Sequence, residues 1–267
     1  MQISSDDIQL YCETVGDGFP VVLLHPFPAH HGFWSDVTSK LGTRYRLVLP
    51  DLRGHGRSEA GSGAATMARQ ADDLSCVLED LKIPKAVFVG VSIGGYILFE
   101  FWRRHRERVA ALVLSNTRAE ADTEQGRANR LKSVEDARVR GTASFLDAQM
   151  EKLIGESTRR NRPDIVAKAR AMMQMMTVAG FAAVQLGMAE RPDSVPILHG
   201  INVPTLVIAG EEDTLTPLPN AQFLRERIPS ARLEVIPRSG HYAAMENPEE
   251  FARALRQFLE GLGAIGS

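Results

Sequence analysis

The stretch AVFVGVSIGG, residues 86–95, predicts a strand, a tight turn and the start of a helix. Its first six residues form a continuous apolar run, which is typical of a strand buried on both faces of a sheet. Ser92 follows between two glycines, Gly90 and Gly94, whose small size allows the chain to turn sharply. Such a turn presents the serine hydroxyl at the carboxyl edge of the sheet. It also places the backbone N–H of Ile93 at the positive end of a helix, where it can stabilise an oxyanion.

Similar apolar runs recur along the chain and alternate with segments of helical periodicity. The other runs cover residues 20–25, 46–50, 109–114, 203–209 and 233–236, and residues 8–14 alternate as a half-buried edge strand would. Helices are predicted after the capping residues Thr66 and Asn247, and from Ile93 to Arg106. This alternation predicts an α/β fold with a mainly parallel central sheet and helices on both faces.

Residues 118–199 break this alternation. The stretch contains charged helical segments, glycine and proline breakers and a cluster of four methionines at 172, 173, 175 and 176, but no strand pattern. We therefore predict one core domain formed by residues 1–117 and 200–267, with residues 118–199 inserted as a helical cap, or lid. The methionines suit an adaptable substrate pocket and equally a contact between helices.

Composition and charge exclude several classes of protein. The chain has 31 basic and 33 acidic residues, and 44% of its residues are hydrophobic. This balance does not favour a nucleic-acid partner.

No apolar run approaches the roughly 18 residues of a membrane span, and the N-terminus lacks a signal-peptide pattern, so we predict a cytoplasmic protein with no membrane partner. Cys12 and Cys76 are predicted to be free thiols. No feature of the sequence indicates an oligomeric state.

A nucleophilic serine needs a base, and the base needs a carboxylate that orients it. In a parallel sheet these groups are expected in loops beyond the carboxyl ends of later strands. Asp213 and His241 lie just beyond the last two apolar runs. We therefore predict Ser92, Asp213 and His241 as the catalytic residues. Asp122, which follows an earlier run, is the alternative acid.

Four segments of the chain match motifs that occur together in one family. They are VLLHPFP at residues 22–28, PDLRGHGRS at 50–58, GVSIGG at 90–95 and Gly-His at 240–241. Together they resemble the serine-nucleophile branch of the α/β-hydrolase superfamily, over residues 1–117 and about 200–267. The resemblance implies that family's fold. Its pattern G-x-x-D-x-x-x-P matches residues 210–217 and implies Asp213 as the acid.

The resemblance also implies an oxyanion hole. By the resemblance, the backbone N–H of Phe27 is the second donor beside that of Ile93. Pro26 stands where the family usually has glycine. Because proline lacks an N–H and fixes φ, it can reshape the loop that carries Phe27.

The activity implied by the resemblance is hydrolysis of a small-molecule ester or lactone. A serine at this turn excludes haloalkane dehalogenases and epoxide hydrolases, which attack with a carboxylate there. Among serine members, the chain is similar to small carboxylesterases, 3-oxoadipate enol-lactonases and cofactor-free haloperoxidases or perhydrolases. We predict a carboxylesterase (EC 3.1.1) that uses no cofactor, with lactonase or perhydrolase activity as the alternatives. A ligand-binding receptor on the same fold is the non-enzyme alternative.

Residues near the predicted oxyanion loop are candidates for the substrate pocket. We predict His25, Trp34 and Tyr96 as pocket walls. His25 also belongs to a histidine cluster with His30 and His31, which raises the question of a metal ion. Because no acidic or histidine spacing typical of a metal site accompanies the cluster, we predict no metal.

Overall fold

The structure, a computed structural model, describes residues 1–263. Its centre is an eight-stranded sheet in the order β1-β2-β4-β3-β5-β6-β7-β8. The strands are β1 (Gln2–Ser5), β2 (Ile8–Val15), β3 (Phe19–Leu24), β4 (Tyr45–Pro50), β5 (Ala86–Val91), β6 (Val109–Ser115), β7 (Thr205–Gly210) and β8 (Ala231–Ile236). Strands from β4 to β8 in this order pair in parallel, whereas β2 is antiparallel to both its neighbours. Residues 264–267 of the predicted core segment lie outside the described residues.

The N-terminal hairpin differs from the sequence prediction. Residues 8–14 are not an edge strand, because β2 lies between β1 and β4 and β1 forms the edge. With only four residues, β1 is too short for its periodicity to be recognised.

Helices cover both faces of the sheet. They are α1 (Ser35–Leu41), α2 (Met67–Asp80), α3 (Ile93–His105), α4 (Glu124–Arg140), α5 (Ala143–Leu153), α6 (Glu156–Asn161), α7 (Pro163–Met173), α8 (Val178–Ala189), α9 (Leu218–Arg227), α10 (Ala243–Glu246) and α11 (Pro248–Gly261). The side chains of Thr66 and Asn247 cap α2 and α11, as the sequence predicts.

Two hydrophobic cores, one on each face, explain why the strands are apolar at successive positions. Val87 and Val89 of β5 pack in one core, together with residues of α1 and α11. Phe88 of the same strand packs in the other core, with residues of α2, α3 and α9. The predicted α/β fold, with a mainly parallel sheet between two layers of helices, is confirmed.

Helices α4 to α8 fill the chain between β6 and β7. Of the methionine cluster in this segment, Met172, Met173 and Met176 are buried in a hydrophobic core, whereas Met175 is exposed. This burial favours the interpretation of the cluster as a contact between helices.

Hydrogen bonds join the helical segment to the loop that carries His241. The backbone N–H of Gly155 donates to Glu246 Oε2 over 2.9 Å, and Glu246 Oε1 accepts from the N–H of Gly240 over 3.0 Å. The N–H of Tyr242 donates to the carbonyl oxygen of Leu153 over 3.0 Å. The segment is therefore fixed to the core beside the candidate site.

No single helix in residues 1–263 has the length and apolar character needed to cross a membrane. Helices α7 and α8 meet the criteria of length and composition only as a pair, and the chain bends by 94° between them. Cys12 and Cys76 are free thiols, as predicted.

Candidate active site

Ser92 lies in a strained turn between β5 and α3. Its φ is 56° and its ψ is −113°, a conformation that is unfavourable for a residue with a side chain and that the surrounding backbone must maintain. A Cβ atom at Gly90 would lie 2.5 Å from the backbone of Gly94, and one at Gly94 would lie 2.8 Å from the carbonyl oxygen of Leu24. Both glycines are therefore required by close backbone packing, which accounts for the spacing G-x-S-x-G.

Strand β6 holds the same turn from its other side. The backbone N–H of Ser92 donates to the carbonyl oxygen of Ser115 over 3.0 Å. The hydroxyl of Thr117 donates to the carbonyl oxygen of Ser92 over 2.8 Å. The backbone of Ser92 is thus tied to the adjacent strand.

Asp213 and His241 lie in the loops that follow the neighbouring strands β7 and β8. His241 Nδ1 is 2.8 Å from Asp213 Oδ2, and both side chains are buried. Because the carboxylate can only accept, Nδ1 carries the proton and Nε2 is left as the acceptor. His241 and Ser92 line the same cavity. In the described part of the chain no hydrogen bond joins the two, and such bonds often tighten only when substrate binds.

Neutral donors surround the carboxylate of Asp213. The amide of Asn116 donates to Oδ2 over 2.8 Å, and the hydroxyl of Thr216 donates to the same oxygen over 2.6 Å. The backbone N–H groups of Leu215 and Thr216 donate to Oδ1. Burial raises the pKa of Asp213, but its pairing with His241 and these hydrogen bonds lower it to about 2.

Asn116 was not predicted from the sequence, although a signal for it exists. It directly follows β6, and its φ of 46° is one that asparagine tolerates better than most residues. Its amide donates to Asp213 and, over 3.3 Å, to the carbonyl oxygen of Gly240. An asparagine at the carboxyl end of an apolar run therefore connects the loop of the acid to the loop of the histidine.

The two predicted oxyanion donors lie at the ends of neighbouring strands. Ile93 is the first residue of α3, so its N–H has no acceptor within the helix. Phe27 follows β3, and its N–H has no hydrogen-bond partner among the described residues. The loop that carries Phe27 is anchored by Pro26, whose carbonyl oxygen accepts the N–H of Ala29 over 2.9 Å. The strand order changes direction at β3 and β5, which is where open α/β sheets usually bind ligands.

A cavity of about 350 Å³ lies over this edge of the sheet. The core contributes Phe27, Pro28, Ser92, Tyr96, Leu215, Thr216 and His241 to its wall. The segment between β6 and β7 contributes Arg118, Asp122, Gly126, Asn129, Arg130, Ser133, Phe145, Gln149, Lys152, Leu153, Gln185 and Met188. Both parts of the chain therefore enclose the same space.

The structure places only one of the three predicted pocket residues at the cavity, Tyr96. His25 is fully buried below it, where its Nε2 accepts the N–H of Leu52 over 2.9 Å and burial lowers the pKa of the ring to about 3. Trp34 is also fully buried and packs against Phe33. The prediction that His25 and Trp34 form pocket walls is wrong, because both serve packing under the loop.

Asp122, the alternative acid, is held by arginines instead of the histidine. Its carboxylate accepts hydrogen bonds from Arg118 over 3.1 Å and from Arg130, and it forms an ion pair with Arg191 Nη1 at 2.7 Å. Burial opposes ionisation, yet the hydrogen bond and charge of Arg130, together with the charge of Arg191, lower the pKa of Asp122. Arg118 and Arg130 are close to Asp122 in the sequence, whereas Arg191 comes from a separate part of the chain, which no spacing in the sequence reveals.

One group of side chains has the geometry to hold a metal ion. Ligand atoms of His30, His31 and Asp51 lie within 4.8 Å of one another. These side chains already make hydrogen bonds. His31 Nδ1 is 2.8 Å from Asp51 Oδ1, and His30 Nδ1 accepts the N–H of Gly32 over 3.1 Å. These contacts hold the two imidazole rings and the carboxylate in place beside the loop.

Comparison with known proteins adds relatives of named activity. A family model for the alpha/beta hydrolase fold matches residues 20–248. A malate-bound thermophilic esterase from Thermogutta terrifontis is 37% identical, with 98% of each chain covered and a TM-score of 0.95. A 3-oxoadipate enol-lactonase from Acinetobacter baylyi is 26% identical over 91% of this chain and 89% of its own length. An enol-lactonase structure from Burkholderia xenovorans is 25% identical, with 97% of this chain and all of that chain covered and a TM-score of 0.91.

The family model spans most of the chain, from β3 to the first residue of α11. The esterase and enol-lactonase relatives match nearly the full length of the chain and share its sheet. The protein therefore belongs to the alpha/beta hydrolase fold family.

Proposed function

We propose that the protein is a serine hydrolase that cleaves small carboxylic esters through an acyl-serine intermediate. The observation that carries this proposal is the strained Ser92, which lines one cavity with a buried histidine that is paired with Asp213. A serine held in this way is exposed at the top of the sheet, and the paired histidine is a suitable base.

The reaction takes two steps. As Ser92 Oγ attacks the ester carbonyl, His241 Nε2 accepts its proton and Asp213 stabilises the imidazolium. The N–H groups of Ile93 and Phe27 stabilise the oxyanion, and a single donor of this kind lowers the activation barrier by about 3 kcal/mol. The carbon–oxygen bond to the alcohol then breaks as His241 protonates the leaving alcohol. Water hydrolyses the acyl-serine by the same route and restores Ser92.

Residues 118–199 act as the cap of this site. They contribute most of the cavity's lining residues, and the bonds to Glu246 and Tyr242 fix them beside His241. Because the cavity holds only about 350 Å³, the substrate is a small molecule rather than a lipid with a long acyl chain.

Lactone hydrolysis is the second candidate activity. It is supported by enol-lactonases that match the chain over nearly its whole length. The same residues open a lactone, except that the leaving alcohol stays attached to the acyl group and must turn away before water attacks.

A fluorophosphonate probe and p-nitrophenyl acetate together test the proposal. We expect the probe to label Ser92 and the wild-type protein to hydrolyse the ester, and Ser92→Ala to abolish both. Ser39→Ala is the matched control, because Ser39 is exposed on α1 and bonds only to the carbonyl oxygen of Asp36. Labelling at another residue, or unchanged turnover by Ser92→Ala, would overturn the mechanism.

A further inference from the structure

The cap side of the cavity carries a surplus of positive charge. Arg118, Arg130 and Lys152 line it, and among the described residues of the lining only Asp122 carries a carboxylate. Arg191 lies directly behind this wall, with its guanidinium 4.4 Å above the ring of Tyr96 and bonded to Asp122. The lining itself therefore carries three cations against one carboxylate, a surplus of positive charge for which a neutral ester offers no partner.

The unused hydrogen-bond donors of Arg118 also favour an anionic ligand. A guanidinium has five N–H donors. Arg118 uses Nη2 toward Asp122, while its Nε is buried without a partner. Its side chain is 34% exposed and lines the cavity, and its Nη1 has no hydrogen-bond partner among the described residues. Arg118 is thus available to an anion in the cavity.

The other two cations differ in how firmly they are held. Arg130 is fixed by Asp122 and by Gln185 Oε1, which accepts from Nη1 over 2.9 Å. Lys152 is exposed and makes no ion pair within residues 1–263. The site therefore combines a fixed guanidinium, a second guanidinium with free donors and an exposed ammonium, an arrangement that suits a carboxylate.

We propose that the substrate of the Ser92 site carries a free carboxylate, which binds to Arg118 and Arg130 while its ester or lactone carbonyl lies at Ser92. This inference rests on the proposed hydrolase function and adds the class of substrate. A cavity of this size holds both groups only in a compact molecule.

Two pairs of esters test the charge preference, and in each pair a methyl group replaces the carboxylate. Monomethyl succinate against methyl butyrate places the carboxylate on the acyl side, and acetoxyacetate against ethyl acetate places it on the alcohol side. We expect kcat/KM to favour the anion at least tenfold in one pair, and the preference to fall as ionic strength rises. Equal or lower kcat/KM for both anions would overturn the proposal.

Variants of Arg118 test whether this residue causes the preference for anionic esters. We expect Arg118→Gln to reduce the ratio of kcat/KM between anionic and neutral ester about tenfold, mainly through KM of the anion, and Arg118→Lys to restore part of it. Because the measurement is a ratio, general damage to the fold cancels. Arg140→Gln is the control, since Arg140 is exposed on the same segment and lies outside the cavity lining. An unchanged ratio in Arg118→Gln would contradict the assignment.

Failure of this inference can be told apart from failure of the proposed function. If the fluorophosphonate labels Ser92 and neither anion is preferred, only the substrate class is wrong. Glutarate gives a check that needs no turnover, because it should slow labelling of Ser92 while neutral glutaramide at the same concentration should not. Equal protection by the two compounds would contradict a carboxylate site.

Discussion

Asp213 and Asp122 follow the adjacent strands β7 and β6 at the same edge of the sheet, yet their partners differ in kind. Both carboxylates are almost fully buried, and both have a pKa below the usual value. Asp213 is held by an amide, a hydroxyl and two backbone N–H groups, and it faces one histidine. Asp122 is held by three arginines.

The difference shows how one residue type can serve two purposes. Neutral donors stabilise the charge of Asp213 without cancelling it, so the charge acts on His241. Arginines more than neutralise Asp122, which leaves a positive wall around the cavity. A buried carboxylate therefore orients a base when its donors are neutral, and it holds cations together when its donors are arginines. The four predictions below test this distinction in decreasing order of expected effect.

The largest effect is expected from Asp213→Asn. An asparagine can turn its amide toward His241 Nδ1, which favours the tautomer with the proton on Nε2, and Nε2 then cannot accept the proton of Ser92. We expect kcat for p-nitrophenyl acetate to fall by about 10³ to 10⁴ with little change in KM. A loss of less than tenfold, with the fold intact by circular dichroism, would show that His241 does not need this carboxylate.

Asp122→Asn should act mainly on stability. Its carboxylate and Arg191 are both almost fully buried, so removing the charge leaves a buried guanidinium without its partner. We expect the free energy of unfolding, measured by urea denaturation at pH 7, to fall by about 3 kcal/mol.

The pH dependence of this loss has a defined sign. Because the pKa of Asp122 is lowered in the folded protein from its usual 3.8, its contribution is fully present above about pH 4 and is lost as the pH falls below that value. The difference between the wild-type protein and Asp122→Asn should therefore shrink in acid. A difference that stays constant from pH 7 down to about pH 2 would contradict the ionised, arginine-paired state.

Asn116→Gly isolates one neutral donor. Glycine accepts the φ of 46° without strain, so the variant removes the bond to Asp213 while the backbone keeps its preferred conformation. A hydrogen bond to a charged group contributes about 1.5 kcal/mol or more, so we expect kcat to fall about tenfold. Asn116→Ala should lose as much activity and also some stability, because alanine resists this φ. Wild-type kcat in both variants would mean that the amide does not position Asp213.

These residues also show what the sequence could predict. Ser92 and Asp213 follow the fully buried strands β5 and β7, which runs of apolar residues reveal because both faces of the sheet are covered. His241 follows β8, an edge strand whose residues are mostly half-buried or exposed, so its signal in the sequence is weaker. Arg118 and Arg130 lie within eight residues of Asp122, but Arg191 comes from a distant segment, and its meeting with Asp122 depends on how the cap helices pack. The sequence predicts His25 and Trp34 as pocket walls because they neighbour the loop of Phe27, but distance along the sequence does not tell which side chains point into the core.

The smallest effect is expected where an aspartate and an arginine meet in solvent. Asp136 and Arg140 form an ion pair one turn apart on α4, the helix that also carries Arg130, and both side chains are largely exposed. Water screens this pair, so Asp136→Asn should change the free energy of unfolding by less than about 0.5 kcal/mol at pH 7 and leave the preference for anionic esters intact. The substitution is chemically identical to Asp122→Asn and lies on the same segment, so burial is the main difference between the two. If the two variants lost equal free energy of unfolding in the same urea series, burial could not explain the contribution of Asp122 to stability.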